Sequence, residues 1–172
     1  MVACGGGGGG DVVRGPSSNL EASFTAAMTN PGANTVNMGA GTAADDHVTV
    51  RVRVTDTSGV YGAAFDLIYN PIMVEYIDWS PGSFLEQGGQ TPNYTVQEQQ
   101  PGRVVVGVSR TGNAGGATAT GSPVLVDVVF RVIQAGNSNV TIQNGVLTNN
   151  QIPPGALSGI VWFGGYVTGA EL

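Results

Sequence analysis

Valine alternates with threonine or arginine through residues 48–55 of this chain. Successive side chains of a β-strand point to opposite faces, so a period of two predicts a strand with one buried and one solvated face. Turn-forming residues follow at 56–59, and the next alternating run ends at Asn70-Pro71, because proline lacks the N–H that a ladder requires. Residues 74–79 favour another strand. The pattern therefore predicts three consecutive strands and no helix.

Similar alternation recurs along the rest of the chain. We predict further strands at residues 21–28, 93–98, 103–110, 124–134, 139–143 and 160–168. Residues 30–46 are predicted to form a connection and residues 111–123 a mobile surface loop, because neither segment has a hydrophobic period. About nine short strands, with no 3.6-residue period anywhere, predict an all-β antiparallel sandwich of two sheets.

The composition limits the classes of function. A chain of 172 residues suits one domain with a substantial core and no disulfide support. Charged residues make up only 10%, lysine is absent, and the net charge of −6 repels phosphate backbones, so we expect no nucleic-acid binding. No apolar run approaches the roughly 20 residues of a membrane-spanning helix. Any membrane association is therefore expected to come from a lipid anchor alone.

Residues 1–20 differ from the remainder, because glycine and small polar residues dominate them. We expect a flexible tether in front of a folded domain at residues 21–169. The single cysteine, Cys4, follows a Met-Val-Ala sequence that resembles the end of a bacterial lipoprotein signal, so we predict lipidation at Cys4. An uncharged Gly5 would then favour the outer membrane. The alternative is an unmodified thiol, since the basic and apolar regions of a signal peptide are missing.

Catalytic patterns are not found in the sequence. His47 is the only histidine and follows two turn aspartates, which supplies neither a catalytic triad nor a metal cluster with converging partners. The chain has no Gly-x-Ser-x-Gly elbow, no lysine for a phosphate loop and no acidic calcium loop. Its acidic residues stand at no spacing that is diagnostic of glycoside hydrolysis. We predict a protein that is not an enzyme and holds no metal or cofactor.

The order of strands in residues 48–84 carries a family resemblance. An alternating valine strand is followed by a turn, by a strand of sequence FDLIYNP ending at Pro71, and by a strand that leads to a Pro-Gly pair. Residues 103–109, the glycine-rich loop, and residues 124–132 resemble the family's later strands. Over roughly residues 22–169, the chain resembles the cohesin domains of cellulosome scaffolds and of related bacterial and archaeal surface proteins.

The resemblance implies a jelly-roll sandwich of nine strands that binds calcium-loaded dockerin modules through one sheet face. It implies a non-catalytic module, extracellular or on the cell surface, that recruits a dockerin-like protein partner, with any calcium held by that partner. In well-known cohesins the strand before Tyr-Asp-Pro carries outward asparagine and aspartate, and the matching positions here are Gly62 and Ala64. The residues expected to bind the partner are Gly62, Ala64, Asp66, Ile68, Arg103, Val105 and Gly107.

Two other binding functions stay open at this point. Carbohydrate-binding modules stack sugar rings on exposed aromatic side chains, so Tyr61 and Tyr94 are candidates for polysaccharide binding. Trp79 and Trp162 lie in strand-like runs beside apolar neighbours, and we expect them in the core. A structural adhesin subunit in a surface layer or filament is the third alternative.

Overall fold

The computed structural model describes residues 19–172, and the predicted lipidation site at Cys4 lies outside them. Eleven β-strands make up most of this part of the chain. In sequence order they are β1 (Leu20–Ala26), β2 (Thr35–Ala44), β3 (His47–Thr55), β4 (Gly62–Ile68), β5 (Val74–Pro81), β6 (Asn93–Gln100), β7 (Arg103–Ser109), β8 (Val124–Val132), β9 (Gly136–Thr148), β10 (Val161–Phe163) and β11 (Gly165–Glu171). One turn of 3-10 helix, Phe84–Glu86, follows β5.

The strands form two sheets that pack face to face. One sheet has six strands in the order β1-β11-β9-β4-β7-β6, and the other has five in the order β10-β2-β3-β8-β5. Neighbouring strands of the described chain are antiparallel, except that β10 runs parallel to β2. This arrangement confirms the predicted all-β jelly-roll sandwich.

The core lies between the sheets and follows directly from the alternation in the sequence. The four valines of β3 are buried, and the polar residues between them face outward. From the opposite sheet, Phe65 and Leu67 of β4 fill the centre, and the ring of Tyr69 packs at 5.2 Å, edge to face, on Phe130. Full burial of each such side chain contributes about 1.5–3 kcal/mol. The two sheets are therefore held mainly by apolar contact.

The structure corrects the predicted strands in three places. Strand β2 replaces the predicted connection at residues 30–46. The first five residues of β2 are buried on both faces of the strand, so its sequence lacks the alternation of polar and apolar residues that predicts a strand. Strand β9 extends well beyond residues 139–143, because it continues through an irregularity beside Asn144. The last predicted strand is two strands separated at Gly164, where a Cβ would lie 2.2 Å from the carbonyl oxygen of Val140. Eleven strands therefore replace the predicted nine.

Candidate docking face

The pairing of β4 with β7 brings the predicted partner-binding residues together. Residues of the two strands that lie opposite each other are Gly62 and Ser109, Ala64 and Gly107, Asp66 and Val105, and Ile68 and Arg103. Paired residues share one side of a sheet, and the residues between them, such as Phe65 and Val106, are buried in the core. All seven predicted residues therefore lie on the outward side of the six-stranded sheet. We call the outward side of β9, β4, β7 and β6 the candidate face.

Asp66 is the polar centre of the candidate face. Its Oδ2 accepts a hydrogen bond from Nη2 of Arg103 at 2.8 Å, and a second from Nδ2 of Asn144 at 2.7 Å. Only 5% of Asp66 is exposed. The carboxylate is therefore held by strands on both of its sides, and its charge is compensated within the sheet.

Asn144 was missed by the sequence analysis. It lies where the register between β4 and β9 shifts, and its φ of 52° is in the left-handed region, which asparagine tolerates better than most residues. The available signal was the Asn144-Gly145 pair, a turn-forming dipeptide in the middle of a β pattern. The local turn of the backbone is what directs the amide of Asn144 to Asp66.

Small residues leave the middle of the candidate face flat. A Cβ at Gly62 would lie 2.9 Å from the carbonyl oxygen of Val108, so the packing itself excludes a side chain there. A Cβ at Gly107 would meet no atom closer than 4.0 Å, so this position is open. Ala64 is exposed, whereas Ile68 is half-buried. Small residues at Gly62, Ala64 and Gly107 leave little side-chain relief there, which suits contact with another protein better than enclosure of a small molecule.

Tyr94 lies between the two sheets and not on an exposed surface. Its ring centroid is 5.3 Å from that of Trp79, and its hydroxyl donates to the carbonyl oxygens of Gly82 and Leu125 at 3.1 and 3.2 Å. Burial, helped by the charge of Glu86, raises the pKa of Tyr94 to about 12. These contacts give Tyr94 a structural role, and sugar binding at this half-buried residue stays a prediction.

Tyr61 has a different setting, at one end of the sandwich. Its hydroxyl donates to the carbonyl oxygen of Gly112 at 2.8 Å, and its ring lines a cavity of about 300 Å³. The other lining residues are Gly112, Asn113, Ala114, Asn150, Gln151, Ile152 and Pro154. An aromatic ring can stack on a sugar ring, and neighbouring amide groups can form hydrogen bonds with its hydroxyls.

His47, the single histidine of the sequence, pairs with a neighbouring carboxylate. Nδ1 of His47 lies 2.6 Å from a carboxylate oxygen of Asp46 at the start of β3, and more than a third of the His47 side chain is exposed. Residues 19–172 contain no group of three or more histidine, cysteine, aspartate or glutamate side chains placed to hold a metal ion. The same residues include no helix with the length and apolar character needed to cross a membrane.

Fold and surface together define a class: a two-sheet β-sandwich module whose candidate site is a flat sheet face. A family model for the cohesin domain matches residues 34–153, and the chain therefore belongs to the cohesin domain family. A comparison with curated protein sequences finds no match.

Solved structures of cohesin modules share the fold at low sequence identity. A non-cellulosomal cohesin from the archaeon Archaeoglobus fulgidus is 20% identical, with a TM-score of 0.52 over 70% of this chain and 78% of that chain. The sixth cohesin of scaffoldin B from Acetivibrio cellulolyticus, solved in complex with a dockerin, is 18% identical, with a TM-score of 0.59 over 83% and 96% of the two chains. The seventh ScaB type I cohesin from Pseudobacteroides cellulosolvens is 14% identical, with a TM-score of 0.61 over 78% and 90%.

Proposed function

We propose that this module recruits a dockerin-type protein partner through the candidate face and performs no catalysis itself. Membership of the cohesin family supports a binding role, and several structurally similar cohesins were solved in complex with dockerins. The observation that carries the proposal is the collection of seven outward residues of β4 and β7 on one flat surface. The partner binds without entering a cleft.

The composition of the candidate face indicates how a partner is held. Gly62 and Ala64 have no side-chain hydrogen-bonding groups, and Asp66 is already bonded to Arg103 and Asn144. At the centre of the face, binding energy therefore comes mainly from apolar contact, with Ile68 and Val105 as the larger apolar groups. On β6, the exposed side chains of Thr95 and Gln97 lie opposite Gly107 and Val105 and can add hydrogen bonds at its margin. A partner suited to this surface presents an apolar patch and few charges that need pairing at its centre.

A binding experiment with calcium tests the proposal. The purified module is immobilised and exposed to dockerin-bearing proteins from the source organism's secreted fraction, once with calcium and once with a chelator. Calcium-dependent capture of a dockerin-bearing protein is the expected result, because the metal is assigned to the partner. Retention of the module on polysaccharide, with no capture of dockerin, would contradict the proposal.

The proposed role places the module outside the cell or on its surface, and we propose Cys4 as the attachment point. Support comes from the lipoprotein-like sequence that ends at Cys4. Growth of an expressing bacterium with a clickable fatty acid is expected to label the wild-type chain and leave Cys4→Ser unlabelled. Equal labelling of both chains, or of neither, would contradict lipidation at this residue.

The second candidate function is sugar binding at the cavity beside Tyr61. The specific observation that favours it is the grouping of Tyr61 with the amides of Asn113, Asn150 and Gln151. Affinity electrophoresis in gels that contain soluble cellulose, xylan or mannan is expected to retard the wild-type module more than Tyr61→Ala. Equal mobility of both chains in every gel would remove this alternative.

A further inference from the structure

Arg53 differs from the other arginines of the described chain. Those four each have a hydrogen-bonding or ion-pair partner: Asp127 for Arg51, Asp66 for Arg103, the carbonyl oxygen of Gln87 for Arg110, and Glu75 for Arg131. Arg53 lacks an ion pair within 4.0 Å and has no hydrogen bond to any described residue. Its Nε is buried without a hydrogen-bond partner, as are those of Arg51, Arg103 and Arg110, but the guanidinium groups of those three have the partners just named. A buried donor without a partner costs about 1–3 kcal/mol. The position of this guanidinium group therefore calls for an explanation.

The backbone beneath Arg53 leaves room for the guanidinium group. Gly39 of β2 lies under the side chain, and a Cβ at that position would be only 3.0 Å from Nη1 of Arg53. Asn37 lies directly opposite Arg53 across the β2–β3 pair. The Oδ1 of Asn37 accepts a hydrogen bond from Thr55 at 3.1 Å, so the carboxamide is oriented and its NH₂ group stays available as a second donor.

A pocket of about 330 Å³ opens at this point, along the seam between β1 and β2. Its polar lining comes from Arg53 and Asn37, with the hydroxyls of Thr25 and Thr29. Ala26, Met28 and Ala40 are partly or fully exposed and supply its apolar side, and the buried residues Phe24 and Met38 complete the lining together with Gly39. This volume lies at the lower end of the range for small-molecule sites. The pocket combines one positive charge with an apolar wall.

The chemistry of the lining selects a singly charged acid. A guanidinium group and an amide N–H donor together match the two oxygens of a carboxylate. Asp127, the acidic group that interacts electrostatically with Arg53, is paired with Arg51 at 3.6 Å, so much of its charge is already compensated. The net charge of −6 disfavours an approaching polyanion.

We propose that the Arg53 pocket binds a single carboxylate carried on a small apolar group. Two sources share that chemistry: a free organic acid, and the C-terminal residue of a peptide chain. The pocket involves the outward side of the five-stranded sheet, away from the candidate face, so this proposal goes beyond dockerin recruitment and can fail or succeed independently of it.

A titration monitored by NMR of the ¹⁵N-labelled module tests the proposal with three probes. They are phenylacetate, an acetylated tripeptide that ends in phenylalanine, and the same tripeptide with an amidated C-terminus. Saturable shifts of the amides around Gly39 are expected with an acid, and the amidated peptide should bind at least about tenfold more weakly than the free peptide, because it lacks the charge-assisted hydrogen bonds. Binding of phenylacetate and the free peptide alike would assign any small acid, and binding of the free peptide alone would assign a chain terminus.

Matched variants separate the site from general charge effects. Arg53→Gln is expected to weaken acid binding at least about tenfold, and Arg131→Gln, which removes the same charge from an exposed pair, is expected to leave it unchanged. Gly39→Ala should also weaken binding, because the added methyl group displaces the guanidinium group. This variant replaces Arg53→Gln as the test if Arg53→Gln does not fold. The proposal is overturned if no probe gives saturable shifts, if the amidated peptide binds as well as the acid, or if both arginine variants behave alike.

Discussion

Asp66 contributes to the candidate face by holding three strands together. It lies on β4, and its Oδ2 accepts hydrogen bonds from Arg103 on β7 and from Asn144 on β9. Because the carboxylate is nearly buried, loss of either donor would leave its charge poorly compensated. The arrangement of β4, β7 and β9 at the centre of the face therefore depends on the buried carboxylate of Asp66.

Replacement of Asp66 by alanine is expected to lower the free energy of unfolding by about 1–3 kcal/mol, because the two donors lose their shared acceptor. Urea denaturation followed by tryptophan fluorescence measures the change. Asp78→Ala is the control, since Asp78 is exposed on β5 and bonds only to the neighbouring backbone N–H of Trp79. Equal stability of Asp66→Ala and the wild type would contradict the structural role of Asp66.

The ionisation of Tyr94 makes the free energy of unfolding depend on pH in the alkaline range. Its pKa is raised from the ordinary value of 10.0 to about 12, chiefly because burial disfavours the phenolate. The unfolded chain loses this proton first, so the contribution of Tyr94 to stability is complete below pH 10 and is lost as the pH rises through 12. Tyr94→Phe should give a shallower fall in the free energy of unfolding over that interval. A slope identical to the wild type would show that Tyr94 ionises alike in both states.

Residues of the candidate face could be predicted from the sequence where they follow the period of two of a β-strand. Asp66, Ile68 and Val105 lie at alternating positions in strands, so their common outward direction could be predicted. Asn144 could not, because its direction depends on a local irregularity in β9 that no period of two describes. The structural contacts of Tyr94 could not be predicted either, because alternation does not reveal that its hydroxyl bonds to the backbone at Gly82 and Leu125.

At the scale of elements, β2 shows why a real strand can lack a strand-like sequence. Its outward residues Asn37 and Gly39 are buried although they face away from the core. The Arg53 side chain covers Gly39, and Asn37 lies opposite Arg53 across the β2–β3 pair. Burial of both faces removes the contrast between polar and apolar positions on which prediction depends. Strand β3 was predictable because its buried valines alternate strictly with half-exposed polar residues.

The segment at 111–123 also differs from its prediction as a mobile loop. Ala117 and Ala119 are buried, and the backbone of Ala117 pairs with Val60 through hydrogen bonds of 2.9 and 2.7 Å. Its glycines serve close packing as well as turning, since a Cβ at Gly116 would lie 2.4 Å from the carbonyl carbon of Gly59. Composition alone does not distinguish such a packed segment from a free one.

The irregular part of β9 depends on close packing against β10. A Cβ at Gly145 would lie 2.5 Å from the ring of Trp162, which in turn packs at 5.8 Å on Phe65 in the core. Gly145→Ala should therefore displace the indole ring, lower the melting temperature and change the tryptophan fluorescence. Gly32→Ala, where no atom lies within 4 Å, is the matched control. Similar spectra and melting temperatures for both variants would contradict this packing.

At the scale of the whole molecule, the sandwich has two outward faces with different chemistry. The six-stranded sheet presents small, apolar and uncharged polar residues around the Asp66–Arg103 pair. The five-stranded sheet presents more charge: Arg51 and Arg131 with their acidic partners, and Arg53. A sheet held by backbone pairing and a common core keeps its outward face in place when surface residues change. Fold is therefore shared with distant cohesins, and under the proposed function the choice of partner depends on the outward residues.

Calorimetric titration of a calcium-loaded dockerin module into two single variants tests the central claim most directly. Ala64→Arg places a bulky charge in the middle of the candidate face, and Ser80→Arg places the same group on exposed β5 of the other sheet. We expect Ala64→Arg to weaken binding by at least about 2 kcal/mol, as for an interface hot spot, and Ser80→Arg to bind like the wild type. Undiminished binding by Ala64→Arg, or loss of binding by Ser80→Arg, would contradict docking at the candidate face.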